Sequence, residues 1–484
     1  VTALTDPMQA KVRMQSLAAG VTARYPSRER PLAHPPAGSD LAPVMGDYGF
    51  PLIGHLLSSI VEPLDFARRR YARFGPVSWA GGVGFRIVSL MGPEALETAW
   101  INKDKAFSST RGWAPVIGPF FHRGIMLLDF DEHRDHRRIM QQAFTRSALD
   151  GYLALMRPGI RRTVANWPAA PRFPFYSSVK QLLLDQAAEV FVGTTLGPEA
   201  DELAADFHAT VHGGQAMIRA DVPGGTWARG LRARERLERY FAAQIPARRA
   251  GCGTDLFSML CHSRGEHGER FSDTDIVNHM IFLLMAAHDT SAIAISMLVY
   301  ELGRNTEWQD RLRDEALHNA NDELTLADLD GGYPLLDAAF DEILRMYAPA
   351  GTLFRQALTD TEVAGHFIPR KSQVAINVYA SMRLADWWPD PDRFDPGRFL
   401  GGADVRPVHR YAFAPFGGGV HKCLGQQFAD MNVKAVMHQL LRHFDWHVPA
   451  GYRPMMTWGT GPTPADGLPI MLRRRESEHR RSGM

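Results

Sequence analysis

The residues 416–425, FGGGVHKCLG, place a single thiol, Cys423, among glycines. Glycine gives a backbone that can turn through positive φ and approach a bulky flat ligand closely. Gln426–Val433 reads as the start of a helix, so Cys423 sits just ahead of unpaired N–H groups whose dipoles stabilise a thiolate. Three chemistries use such a loop. A phosphate loop requires Ser or Thr after its lysine, whereas Cys423 follows Lys422. A cysteine hydrolase requires a histidine base and an orienting carboxylate, which the spacing leaves open. A thiolate ligand to haem iron requires a bare loop over the porphyrin plane and donors that temper the sulfur charge.

Three further groups of residues have chemistry to offer. His288, Asp289, Thr290 and Ser291 interrupt a long apolar run, and a buried carboxylate there costs several kcal/mol unless it is paired or hydrated. A threonine hydroxyl bonded back to a helix carbonyl bends the helix and opens a gap for water or a small ligand. Glu342 and Arg345 stand at i,i+3, a pairing that Arg398, in the proline-rich run WWPDPDRFDPGRF, could join. His133 and Arg137 stand at i,i+4 and point together at one anionic group. Arg134 and Arg138, on the next positions, read as a solvated basic face.

The elements that must position these groups follow from periodicity. DIVNHMIFLLMAAHDTSAIAISMLVYELGR contains no proline and is apolar all round, which predicts a buried helix of about 30 residues, roughly 45 Å long. GPVSWAGGVGFRIVSL reads as a hairpin, and TEVAGHFIPRKSQVAINVY repeats the pattern. Residues 1–45, with PLAHPPAGSDLAP, read as an extended lead-in, with packing expected from near Phe50. A single domain is expected over 46–472 and a charged, frayed tail over 473–484.

Composition narrows the classes. The balance of 54 Lys+Arg against 53 Asp+Glu generates no field to attract nucleic acid. Three cysteines, Cys252, Cys261 and Cys423, lack disulfide spacing and suit a reducing, cytoplasmic setting. No signal segment or transmembrane anchor is expected.

With these motifs together, the sequence resembles the cytochrome P-450 haem-thiolate monooxygenases, over residues 45–470. FGGGVHKCLG is similar to the family's cysteine loop at Phe416, Gly419, His421, Cys423 and Gly425. AAHDTS resembles its oxygen-binding segment, with Ala287 in place of the usual glycine. Glu342, Arg345 and Arg398 match its structural triad, although Gly397 stands where Glu is usual. DFDEHRDHRR resembles its propionate-binding helix, and Lys371 falls where a turn glycine is typical.

The resemblance implies a mainly α fold with a small β lobe and a long central helix over haem. It implies haem b (iron protoporphyrin IX) ligated through Cys423. His133, Arg137, Arg355 and His421 would hold the propionates, with Phe416, Gly417, Gly425 and Ala287 lining the macrocycle. Thr290 and Asp289 would relay protons during monooxygenation of a lipophilic substrate. Trp113, Phe120, Phe121 and Trp227 are substrate-lining candidates. Only 61 residues follow Cys423 in the 484-residue chain, without a flavin or dinucleotide fingerprint. Electrons are therefore expected from a ferredoxin and its reductase, drawing indirectly on NAD(P)H, with Arg134, Arg138 and Lys422 near the docking face. A haem sensor or carrier without turnover is the alternative, and it has no use for the Asp289–Thr290 pair.

Overall fold

A computed structural model describes residues 7–193, 197–216, 218–319, 324–401, 409–459 and 461–475. The helices that matter for the site are α1 (Pro7–Ala23), α2 (Leu56–Val61), α3 (Pro93–Ile101), α4 (Ser109–Phe121), α5 (Phe130–Gln141), α6 (Phe175–Ala187), α7 (Pro198–Gly214), α8 (Thr226–Ala250), α9 (Asp273–Arg304), α10 (Pro334–Tyr347) and α11 (Gln426–His443). A seven-stranded sheet comprises β1 (Arg30–Pro31), β2 (Met45–Asp47), β3 (Val77–Gly82), β4 (Phe85–Leu90), β5 (Phe107–Ser108), β6 (Thr352–Ala357) and β7 (Gln373–Asn377). Its spatial order is β1-β2-β3-β4-β7-β6-β5. Three smaller sheets occur among the described residues.

The expected long helix is α9, 32 residues without a proline. Ser272 caps it by accepting from the Asp275 N–H, Asp273 and Asp275 lie in its positive first turn, and Arg304 lies in its last. Among the described residues it is the one helix long and apolar enough to cross a membrane, yet 78% of that window is buried inside the chain. It is a core helix, packing on α6, α8, α10 and α11. α10 starts at Pro334 and ends before Pro349, as proline's missing N–H and steric demand require.

The β3–β4 hairpin is antiparallel, Val77 opposite Leu90 and Gly82 opposite Phe85. Its two-residue turn, Val83-Gly84, holds both residues at positive φ (46° and 80°), which matches strand twist. The second predicted hairpin splits. Thr361–Val363 pairs with His366–Ile368, while β7 joins the large sheet, parallel to β4 and antiparallel to β6. Lys371 adopts φ +69°, so the turn keeps the glycine-type geometry with a lysine in it.

Two expectations need correction at the N-terminus. Residues 7–23 are helical instead of extended, because the prolines at 31, 35 and 36 fall after the helix. Packing begins well before Phe50: Ala19 and Val44 are fully buried, and Arg30 pairs with Gly46 across β1 and β2. At the other end, residues 473 and 474 belong to the strand Pro469–Arg474, and the rest of the expected tail from 476 lies outside the described residues.

Candidate haem-thiolate site

The cysteine loop descends from the proline-rich segment and is braced through it. Buried Arg345 donates from Nε to Glu342 Oε2 (2.7 Å) and from Nη2 to Oε1 (2.9 Å), while its Nη1 reaches the carbonyls of Met382 and Pro391. Glu342 Oε1 also accepts from the Asp395 N–H (3.0 Å) and from Arg398 Nε (3.3 Å). The guanidinium of Arg345 lies 5.2 Å from the centre of the Trp388 ring, and Trp388 Nε1 donates to the Ala412 carbonyl. The carboxylate thus ties α10 to the chain that leads into Phe416.

Within the loop, the Cys423 N–H donates to the Phe416 carbonyl at 2.8 Å, closing a tight turn. The glycines divide their labour differently from the expected approach to a flat ligand. A Cβ on Gly419 would lie 2.0 Å from the Trp100 carbonyl oxygen, and one on Gly418 would meet the Tyr411 and Trp100 rings. Those two glycines let the loop seat on α3. Gly417 (φ +72°) and Gly425 have only one side-chain atom each at ordinary contact distance, Leu353 Cδ1 and Phe144 Cε1. These two leave the loop's other face bare.

Cys423 is accessible by surface area, yet the surrounding protein desolvates its thiol and raises its pKa. That combination describes a side chain facing an internal chamber. The Gly425 N–H, Arg137 and Lys422 act in the opposite sense and favour the thiolate. α11 starts at Gln426, with Gly425 as its N-cap.

The cationic residues converge. His133 is buried, its ring 3.9 Å centre to centre from that of His421 and tilted by 32°. Burial, Arg137 and Arg355 press the His133 pKa down to about 4, and burial, Arg355, His133 and Arg137 hold His421 well below its ordinary value. Both imidazoles are therefore neutral at pH 7 and each offers a single N–H. Arg355 is buried on β6, where its Nη1 donates to the neighbouring Phe354 carbonyl; burial lowers its pKa to about 10, against the pull of Asp129. His133 Nδ1 and Trp113 Nε1 are buried polar atoms without a hydrogen-bond partner among the described residues. Four nitrogen-bearing side chains around one thiol, with an orphaned buried ring nitrogen, fit a bound dianion such as the two propionates of haem. The donor set fits haem, and its thiolate ligand is at hand.

The middle of α9 is open on one side. Met285, Ala286, Ala287 and Thr290 are part-exposed in the middle of a largely buried helix, and Met285, Ala286 and Ala287, together with Phe416 and Leu424, border one large core cluster. Thr290 Oγ1 donates to the Ala286 carbonyl at 2.7 Å. Its only hydrogen is thus committed to the backbone, and its lone pairs can accept from a bound molecule. Asp289 turns the other way, with Oδ1 3.0 Å from Lys180 Nζ and 3.2 Å from His288 Nδ1. Burial raises its pKa, but the His288 hydrogen bond and Lys180 outweigh that and hold the carboxyl well below its usual range. Lys180 lies on α6 and no spacing rule relates it to Asp289, so the sequence reading did not find it.

Of the substrate-lining candidates, Phe120 and Phe121 are core residues, at 0% and 1% exposure. Phe120 fills the crossing of α7 and α8 where Gly213 and Gly230 meet, and its ring stands edge-on to Trp227. Trp113 and Trp227 are part-buried. Arg134 pairs with Asp131 (3.1 Å) and Arg138 with Glu266 (3.1 Å), so the face read as free basic charge is largely neutralised.

Comparison with known proteins identifies the family and the fold. The family model for cytochrome P450 matches residues 44–463. The chain is 43% identical over 453 residues to cytochrome P450 136 of Mycobacterium tuberculosis, covering 92% of each. It is 27% identical to cytochrome P450 120 of a Synechocystis species, covering 88% of this chain and 96% of that one. A solved structure of retinoic acid-bound cyanobacterial CYP120A1 superposes with a TM-score of 0.80 at 25% identity, covering 88% of this chain and 98% of that one. The chain belongs to the cytochrome P450 family of haem monooxygenases.

Proposed function

We propose that the chain inserts one oxygen atom from O2 into a lipophilic organic substrate, most simply as a hydroxylation, with electrons delivered by a separate ferredoxin and ferredoxin reductase that draw on NAD(P)H. The observation that carries this reading is the desolvated thiol of Cys423 facing a chamber ringed by His133, Arg137, Arg355 and His421. Haem, when bound there, supplies the iron chemistry that activates O2. The chain's own residues do the rest.

In this reading Cys423 would hold the iron as thiolate, with the Gly425 N–H tempering the sulfur charge. His133 and His421 would each offer one neutral N–H, and Arg137 and Arg355 charge-assisted bonds, to hold the carboxylates of the group. Phe416, Gly417, Gly425 and Ala287 would line its place, with Phe416 limiting water at the sulfur. Thr290 Oγ1 accepts a hydrogen bond in the chamber and positions the proton source. Asp289 stays ionised beside Lys180, whose side chain is 24% exposed, and so links the chamber side of α9 to solvent for proton delivery. A lipophilic substrate suits the apolar lining at Met285, Ala286 and Trp113. The retinoic acid carried by the cyanobacterial neighbour is a ligand of that kind.

The purified chain is expected to carry haem and, reduced under CO, to give the red-shifted Soret band of thiolate ligation, lost in Cys423→Ser. A Thr290→Ala, Asp289→Asn double variant should keep that band while losing product formation. Absence of haem and of the band overturns the proposal. A screen of lipophilic ligands for the spin-state change that accompanies displacement of iron-bound water then identifies the substrate class.

A further inference from the structure

α4 is a helix interrupted by its own prolines. Pro119 has no N–H to return to the Pro115 carbonyl four residues earlier, so that carbonyl is left for another donor. Arg219 takes it. This residue lies in the connection between α7 and α8. Its Nη1 donates to the Pro115 carbonyl, and its guanidinium carbon stands 5.6 Å from the centre of the Trp227 ring. Trp227 in turn meets the Phe120 ring edge-on at 4.8 Å. A surface arginine ordinarily keeps its head in water, whereas contacts on α4 and α8 hold this one in place.

The held group keeps its binding edge. Nε and Nη2 of Arg219 have no partner among the described residues, and this is the edge with which Arg345 grips the Glu342 carboxylate. No acid pairs with Arg219 among the described residues either. Asp221, the one carboxylate in residues 215–225, lies 3.9 Å from Arg232. Asp206 pairs with Arg236, and Glu238 with Arg234. An uncompensated cation is thus fixed on a helix whose other residues reach the chamber wall. Gly112, about one helical turn before Pro115, is so close to β6 that a Cβ there would collide with the Arg355 backbone. Trp113 and Ile117 pack on the large core cluster that Met285 and Ala286 also border.

We propose that Arg219 recognises a carboxylate on the substrate, so that the chain takes an amphipathic acid, with its apolar body among Trp113, Ile117, Met285 and Ala286 and its acid end on the Arg219 fork. A planar carboxylate matches the free Nε–Nη2 edge with two parallel hydrogen bonds. An ester offers neither the charge nor two equivalent acceptor oxygens. The acid end stays over α4, which leaves the apolar end for the Thr290 side of the chamber. The inference rests on the lipophilic substrate proposed above and narrows it to lipophilic carboxylic acids.

The test is equilibrium dialysis of the haem-loaded full chain with two acid–ester pairs, lauric acid with methyl laurate and abietic acid with methyl abietate. The spin-state change is read on the same mixtures. At least one acid is expected to bind about tenfold more tightly than its ester, a preference that shrinks as salt is raised. Arg219→Gln should abolish the preference by weakening the acid alone, and Arg219→Lys should keep part of it. Arg370→Gln, at an exposed turn ahead of β7, should bind both ligands as the unaltered chain does. Arg219 is itself exposed, and circular dichroism confirms that each variant folds. The proposal is overturned if neither acid binds more tightly than its ester, or if Arg219→Gln keeps the preference. It is also overturned if Arg219→Gln weakens acid and ester equally, which would make Arg219 only a latch on Pro115. Failure of the haem-thiolate reading shows separately, as a missing CO band in the unaltered chain.

Discussion

Replacing Glu342 by Gln keeps the size of the side chain and removes its charge, with consequences that can be worked from the hydrogen bonds. Glu342 and Arg345 are both fully buried. The carboxylate accepts two bonds from Arg345, one from the Asp395 N–H and one from Arg398. A glutamine can accept on one oxygen only, and it turns an NH2 toward a guanidinium, donor against donor. Arg345 becomes a buried cation facing neutral carbonyl oxygens alone in place of a carboxylate, and breaking a buried pair in this way costs about 3–5 kcal/mol. The loss should extend to the cysteine loop, because Trp388 beneath Arg345 holds the Ala412 carbonyl, four residues ahead of Phe416. Urea unfolding followed by tryptophan fluorescence reads the stability change, and haem retained through gel filtration reads the loop. Arg345→Met combined with Glu342→Gln should recover much of the loss if the uncompensated charge is its source. A Glu342→Gln chain within about 1 kcal/mol of the original refutes the reasoning, since that is the range of an ordinary substitution.

Gly419→Ala drives a methyl group to 2.0 Å from the Trp100 carbonyl at φ +61°, so haem retained through gel filtration should fall sharply. Lys371→Gly relieves a left-handed lysine on the surface and should raise stability by about 0.5–1 kcal/mol, read from the urea midpoint. Acid should destabilise the fold: burial and His136 hold His279 at about 3, and burial and Lys180 hold His208 at about 4. Below pH 6.5 the unfolded chain binds protons that the folded chain refuses, so stability is full above that pH and declines as pH falls toward 4. For fully buried His279 the decline reaches roughly 3 kcal/mol by pH 4. His279→Asn should flatten that slope in pH-dependent urea titrations.

Long-period patterns and local motifs were legible in the chain alone. The 32-residue α9, the β3–β4 hairpin and the Glu342–Arg345 spacing each depend on neighbours within a turn or a strand pair, and sequence records such neighbours directly. The cysteine loop and the DTS segment, read with the propionate-helix pattern, were enough to reach the cytochrome P450 family. Hidden from that reading were relations between distant segments. Lys180 meets Asp289 only because α6 packs across α9, and Gly418 and Gly419 are required by Trp100, more than 300 residues earlier, instead of by a flat ligand. Arg134 and Arg138 lose their apparent freedom to acids that the fold brings alongside. Types and spacings therefore determined which chemistry the chain can hold. Tertiary packing decided which partners each group meets, because charge pairing and steric contact depend on distance in space, to which sequence separation is blind.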